Sequence, residues 1–305
     1  MKVLITGAAG MLGRDLVDAL RPQFDLVGCG IGDGSMLPIA YSEVDLTNQP
    51  LVEKFWDQTK PDLVFHLAAV TDVDLCEKKE EQERVALANT RAVEFVARAS
   101  QRHEAPVVFI STDFVFDGQE VREYSEEDAP NPLSFYGQTK ADAEKVLREI
   151  GGLYVVFRIC WLYGLHGRSF PRAILQAAQK KDQLKVVSDQ VGRPTYTRDI
   201  CAAFKTMLSS DAQIFRKNAG NIFHLANTGT ASWADFAAEV LKLSESMNCT
   251  VERISWRELD PPRAARRPEH AVLSLEKVRR ELGVELRPWQ DALKEFIPEL
   301  QKQLS

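Results

Sequence analysis

Two short stretches of this chain carry residue types and spacings suited to proton transfer. In "SFYGQTKADAEKVL", Tyr136 and Lys140 stand four apart within a pattern that predicts a helix over Tyr136–Ile150. That spacing puts both side chains on one helical face. An ammonium beside a phenol favours the phenolate, so the pair predicts a Tyr136 pKa below the ordinary value of about 10. A tyrosine poised in this way gives or takes a proton near neutral pH. In "FISTDFVFDG", Ser111, Thr112 and Asp113 follow the strand candidate Val107–Ile110. Hydroxyls and a carboxylate at a strand end can cap a helix, make a turn or do chemistry. In the chemical reading, Thr112 hydrogen-bonds a carbonyl oxygen that Tyr136 protonates. YxxxK alone recurs by chance, and its weight depends on what surrounds it.

The elements that must position these residues begin with "VLITGAAGMLG", where Gly7, Gly10 and Gly13 lie between a strand candidate, Lys2–Ile5, and a helix candidate, Met11–Leu20. The first glycine permits a tight turn, the second lets a diphosphate approach the backbone, and the third lets helix and strand pack closely. Met11 and Leu12 then open a helix whose free N–H groups and positive dipole end face the phosphates. The spacing is GxxGxxG rather than GxGxxG. The second strand ends in "DLVGCGIGD", with Gly28 and Gly30 where a ribose-binding acid commonly sits. Arg14 either faces a 2′-phosphate, which favours NADPH over NADH, or is a solvated helix residue, and Asp33 is the acid that would reverse the preference. In "EVDLT", Asp45 and Leu46 follow a short strand candidate; Asp45 either accepts from an adenine amino group or serves a helix cap, a role that Thr47 fills as well. "FHLAAVTD" ends in Ala68 and Ala69, small enough for a ribose or nicotinamide to pass, with His66 a packed strand residue. Asn89, inside the helix candidate Glu81–Arg102, either orients a water near Lys140 or is an incidental polar residue.

Short apolar runs at Lys2–Ile5, Asp25–Cys29, Leu63–Leu67, Val107–Ile110 and Tyr154–Arg158 alternate with helical patterns at Met11–Leu20, Gln49–Thr59, Glu81–Arg102 and Tyr136–Ile150. Strands that are apolar throughout belong to a parallel sheet covered on both faces, so the fold class is α/β, a doubly wound parallel sheet of Rossmann type. Beyond residue 160 the rhythm changes. A helix (Phe170–Gln179) and a strand (Leu184–Val187) precede the loop "SDQVGRPTYTRD" and a helix starting near Asp199. Asn221–Leu225 is a late strand added to the first sheet, followed by a helix at Trp233–Ser244 and two terminal helices. The division this implies is a dinucleotide-binding domain, 1–160 with about 192–229, and a smaller mixed α/β substrate domain, about 161–191 with 230–305. The 305 residues carry a net charge of −6, and no basic cluster suggests nucleic acid. Five scattered cysteines without a CxxC pair fit a reducing, cytoplasmic setting and neither a disulfide framework nor a zinc site. No apolar run approaches the ~18 residues of a membrane helix.

With glycine loop, "STD" and YxxxK in order, the chain resembles the extended short-chain dehydrogenase/reductases, and among them the dTDP-4-dehydrorhamnose reductase family. The stretches "STDFVFDG", "YGQTK", "FRICWLYG", "SDQVGRPTYTRDI", "IFHLANTGTASWADFA" and "RRPEH" follow the family's order from Gly7 to Trp289. The resemblance implies hydride transfer from NADPH or NADH to the 4-keto carbon of a nucleotide-linked 6-deoxyhexulose. Tyr136 would be the proton donor, Lys140 its pKa setter and ribose anchor, and Thr112 the polariser of the ketone. Asp113 would accept from a sugar hydroxyl. Trp161, Gln190, Gly192, Pro194 and Thr195 would border the substrate side, unless Trp161 simply fills the core and Gly192–Pro194 is a plain tight loop, and Arg267 would serve the diphosphate. Trp233, opening an amphipathic helix, reads as packing. The chain departs from the family pattern at Ala143, at Ser169 and at Glu269-His270-Ala271 after Pro268, where an acid beside a diphosphate must point away. These departures leave the particular sugar nucleotide open. Some relatives are magnesium-dependent dimers; the sequence shows no metal cluster and leaves monomer and homodimer open. Two other readings compete: a cofactor-binding regulatory subunit like the β-subunit of methionine adenosyltransferase, and a reductase or epimerase of another sugar nucleotide.

Overall fold

In the computed structural model, which describes residues 1–244 and 248–304, seven strands form one sheet. They are β1 (Lys2–Thr6), β2 (Asp25–Gly30), β3 (Ala40–Glu43), β4 (Leu63–His66), β5 (Val107–Thr112), β6 (Tyr154–Ile159) and β7 (Ile222–His224). All pairings are parallel, in the order β7-β6-β5-β4-β1-β2-β3. This is the doubly wound arrangement predicted from the apolar strands. The order reverses between β1 and β4, and ligands of open α/β sheets bind at the carboxyl ends beside such a reversal. β7 is the late strand, and it extends the sheet beyond β6.

Helices α1 (Met11–Leu20), α2 (Gln49–Thr59), α3 (Lys79–Ala86), α4 (Ala92–Arg102) and α5 (Phe135–Ile150) lie in the first half. Alternation along β5 sends Val108 to the core layer that includes Leu16 of α1, and Val107 and Phe109 to the layer that includes Val96 of α4 and Leu147 of α5. Two of these helices start at a side-chain cap: Asn48 accepts from the Leu51 N–H ahead of α2, and Ser134 accepts from the Gly137 N–H ahead of α5. The predicted continuous helix Glu81–Arg102 is interrupted. Leu87–Arg91 forms a π-helical turn between α3 and α4. β5 runs two residues beyond the predicted end, so Ser111 and Thr112 are strand residues rather than loop.

The second half contributes α6 (Phe170–Ala178), α7 (Thr197–Ser210), α8 (Trp233–Leu243), α9 (Glu276–Leu282) and α10 (Trp289–Leu304). A separate parallel pair, Gln183–Val187 with Thr250–Ile254, packs near α8. Tyr163, Tyr196, Phe236, Trp289 and Phe296 form the buried centre there, whereas α7 packs on α1 under the main sheet. No helix among the described residues is long and apolar enough to cross a membrane.

The α1 side of the sheet rests on an aromatic cluster in which the buried Phe157 ring meets Phe204 (5.1 Å between centroids), Phe223 (5.7 Å) and Phe215 (6.2 Å). Phe157→Ala leaves a cavity that this rigid surrounding cannot close, with an expected loss of about 3–5 kcal/mol. Urea unfolding checks it, and a loss below about 1 kcal/mol would mean the cluster repacks freely.

Candidate active site

The carboxyl ends of β1, β4, β5 and β6 open into a cleft of about 550 Å³. It gathers Gly7, Gly10, Met11, Leu12, Gly13 and Ala69 from one wall, and Thr112, Asp113, Tyr136 and Lys140 from the middle. Trp161, Trp233, Arg263 and Arg267 come from the far wall. Most residues singled out in the sequence therefore meet at one place. Arg14, Asp45, Leu46, Ala68, Asn89 and Gln190 stand outside this lining.

At the glycine wall, Gly7 has φ +67° and its Cα approaches the β4 end so closely that an added Cβ would lie 2.8 Å from the Ala68 nitrogen. A Cβ on Gly13 would lie 2.3 Å from the Gly7 carbonyl oxygen. The loop is thus held flat against α1, whose first turn contains no acid, and the donor set is backbone N–H at a helix N-terminus. These residues fit a diphosphate. Arg14 donates to the Ala9 carbonyl at 3.1 Å, which anchors its guanidinium beside the loop. Gly30 ends β2, and the exposed Asp33 is engaged by the Ser35 N–H at 2.8 Å. Asp45 accepts from both the N–H and the hydroxyl of Thr47 at 2.9 and 2.7 Å. Its Oδ1 thus closes a local turn, and Asn48 rather than Thr47 caps α2. Leu46 is a core residue packed with Trp56. Ala68 supports Gly7 from behind.

Asn89 is not an incidental polar residue. Its amide oxygen accepts from the Val70 N–H at 2.7 Å, and its nitrogen donates to the Val70 carbonyl at 2.9 Å and to the Thr139 hydroxyl at 3.2 Å. The side chain clamps the segment after β4 to α5, and the π turn presents it for that task.

Helix α5, which carries Tyr136 and Lys140, is tied at its start by Ser134 and by Glu77, whose carboxylate accepts from the Phe135 N–H at 2.7 Å. Tyr136 lies edge-on to Phe114 and beside Val85 and Cys76. This burial pushes its phenol above the ordinary range, the neighbouring Thr112 hydroxyl opposes the rise, and Asp113 adds to it. Burial, rather than any pull from Lys140, dominates at Tyr136, because the Lys140 Nζ is directed elsewhere. Its Nζ donates to the Ile110 carbonyl at 2.6 Å and sits 4.0 Å from the centre of the Phe109 ring. Burial pulls Lys140 down to about 7, with Glu144 working against the fall.

Thr112 donates to Asp113 Oδ1 at 3.0 Å and accepts from the Phe114 N–H at 3.2 Å. Its single hydroxyl proton is therefore contested by Asp113 and by any acceptor near Tyr136. Asp113 is buried, its Oδ2 has no hydrogen-bond partner among the described residues, and burial pushes its carboxyl up to about 7.

On the far wall, Trp161 has φ +46°, a conformation unfavourable for a bulky residue. Its ring stacks on Trp233 with centroids 3.6 Å apart and planes 7° from parallel. Trp233 therefore lines the cleft as well as packing. A Cβ on Gly192 would lie 2.6 Å from the Trp161 ring, so this glycine seats the indole. Gln190 is buried away from the cleft lining with an unpartnered Oε1; its loop acts through Gly192 and through Arg193. Sequence reasoning passed over Arg193, which donates to the Leu273 and Gly229 carbonyls at 2.8 and 3.0 Å and pairs with Glu123. Arg267 is held by Asp74 at 2.6 Å. Arg263, also missed, lines the same end, and the flanking "DPPRAARRPEH" was the signal that could have found it. Glu269 accepts from Trp256 Nε1 at 2.9 Å and from Arg257 at 3.0 Å. The departure from the family pattern is thus absorbed by partners of its own. Among the described residues no three His, Cys, Asp or Glu side chains are grouped as a metal ion would need.

Because the folded protein keeps the Asp113 proton to a higher pH than the unfolded chain, unfolding releases it, and stability falls as pH rises from about 4 to about 7. Asp113→Asn should remove that component, on the order of 2–4 kcal/mol. Urea unfolding of both proteins at pH 5 and pH 8 measures it. Parallel losses in the two would show that Asp113 does not hold the proton.

The model of the RmlD substrate binding domain family matches residues 1–302. The dTDP-4-dehydrorhamnose reductase of Aggregatibacter actinomycetemcomitans is 32% identical over 297 residues, covering 96% of this chain and 97% of that protein. The crystal structure of a dTDP-4-dehydrorhamnose reductase from Clostridium acetobutylicum superimposes with a TM-score of 0.85 at 34% identity, over 99% of this chain and 100% of that one. The structure of dTDP-4-dehydrorhamnose reductase from Bacillus anthracis in complex with NADP gives 0.85 at 30%, over 98% and 99%. The chain therefore belongs to the RmlD substrate binding domain family, together with these dTDP-4-dehydrorhamnose reductases.

Proposed function

We propose that this protein is an NADPH-dependent reductase of a dTDP-linked 4-keto-6-deoxyhexulose, of the kind that converts dTDP-4-dehydrorhamnose to dTDP-rhamnose for polysaccharide synthesis in the cytoplasm. The observation that carries the proposal is the convergence of Thr112, Tyr136 and Lys140 on one cleft with a glycine cradle fitted to a diphosphate. A regulatory subunit that only binds the dinucleotide has no need of that trio. Family membership supports the same reading, and so does the relative that binds NADP.

Residues 1–160 with about 192–229 hold the dinucleotide, and about 161–191 with 230–305 hold the sugar nucleotide. Gly7, Gly10, Gly13 and the first turn of α1 receive the diphosphate, and Arg14 takes a 2′-phosphate, while the nearby Asp33 is held in a local turn by the Ser35 N–H. When bound, NADPH supplies the hydride that reduces the ketone carbon. Tyr136, whose high pKa keeps it protonated, delivers its phenolic proton to the ketone oxygen. The Thr112 hydroxyl orients on that oxygen, and Lys140 holds the nicotinamide ribose. Asp113 offers its unpartnered Oδ2 to a sugar hydroxyl. Trp161 and Trp233 wall the sugar, and Arg263 and Arg267 face the substrate diphosphate.

The test follows nicotinamide absorbance with dTDP-4-keto-6-deoxy-L-lyxo-hexulose and NADPH or NADH. Turnover is expected, faster with NADPH. Tyr136→Phe should lower kcat by about 10²–10⁴ with cofactor affinity retained. Tight dinucleotide binding without turnover of the wild type would instead support the regulatory reading.

A further inference from the structure

Ser111, Arg158 and His224 stand in one row across three strands, since the register pairs Ser111 with Arg158 and Arg158 with His224. All three are buried, and above them on α5 lies Glu144, also buried. The Glu144 carboxylate accepts from the Ser111 hydroxyl at 2.5 Å and from Arg158 Nε and Nη2 at 3.0 and 2.7 Å. Arg158 further reaches His224 Nε2 at 3.4 Å and lies over the Phe116 ring at 5.0 Å.

Only Ser111 of this cluster reaches the cleft lining; Glu144, Arg158 and His224 lie behind it and grip the end of β5. Ser111 lies between Ile110, whose carbonyl accepts from Lys140, and Thr112, whose hydroxyl neighbours Tyr136. Glu144 lies one helical turn beyond Lys140. We propose that Glu144 is a positioning residue of this active site: through Ser111 and Arg158 it fixes the end of β5, and it supplies the anionic charge that Lys140 faces. The proposal rests on the reductase reading for its kinetic consequences, though not for its electrostatic one.

The titratable groups whose fields reach Lys140 are Glu144 from its own helix and His66 from β4, the latter kept neutral by burial, which pulls it down to about 3. Removing the Glu144 charge leaves desolvation unopposed, and Lys140 then loses its proton at lower pH. Glu144→Gln strands the Arg158 cation in the interior, so folding could fail for that reason alone. The combined variant Glu144→Leu with Arg158→Met removes both charges and keeps the site filled. Ser111→Ala cuts the tie to β5 and leaves the charge in place.

Carbon NMR of the lysine Cε groups in the cofactor-free protein, assigned with Lys140→Met, gives the Lys140 titration directly. Kinetics against pH give the rest. In the Glu144/Arg158 variant the Lys140 midpoint should move acid by about one unit. The alkaline limb of kcat should move with it, and kcat should fall about tenfold or more. In Ser111→Ala the midpoint should hold while kcat falls severalfold. Folded variants with the wild-type Lys140 midpoint and kcat would overturn the proposal. If the wild type does not turn over the dTDP sugar, the reductase reading falls, and the Lys140 midpoint still decides for or against Glu144.

Discussion

One face of α5 buries a phenol, an ammonium and a carboxylate in succession, and the rest of the centre is arranged to make that tolerable. Unpartnered, each of these groups would be strongly unfavourable in the interior. Lys140 is met by the Ile110 carbonyl and the Phe109 face, Glu144 by Arg158 and Ser111, and Tyr136 by Thr112. Each partner comes from β5 or the strand next to it. The parallel register of these strands is therefore a condition of the chemistry, since a slip of one residue would turn Ser111 and Arg158 away from the helix. Ser134, Glu77 and the Asn89–Thr139 contact hold α5 from its other sides.

The sheet and its helices were largely legible, because fully apolar strands and glycine punctuation are local signals. The motifs converge on the cleft for the same reason: strand ends of a parallel sheet share one rim. What failed to show was anything fixed by desolvation. Spacing placed Lys140 beside Tyr136, but no spacing rule reveals that burial raises the phenol and lowers the ammonium. The roles of Asp45 and Asn89 were likewise undecidable from type and position, since each depends on which backbone groups lie unpaired nearby. Arg193 was invisible because its partners are carbonyls distant in sequence.

The far wall shows a different kind of constraint. Trp161 occupies a left-handed backbone conformation, and its ring is held between Gly192 and Trp233. The "GRPT" segment frames this indole: the Thr195 backbone N–H donates to the Trp161 carbonyl at 3.1 Å, and Arg193 staples the segment to three other parts of the chain. Backbone strain of this kind persists where the surroundings over-determine it, as they do here.

The π turn at Leu87–Arg91 has a geometric effect beyond presenting Asn89. One extra residue in a helical turn rotates everything after it by about 100° relative to an unbroken α-helix. Before the turn, Val85 points into the small apolar group around Tyr136; after it, Val93 and Val96 pack into the core beneath the sheet. The phase change lets a single helical run line two differently oriented walls, one belonging to the reaction chamber and one to the scaffold. Length at this point is thus a functional quantity, and loss of one residue would misalign both walls together.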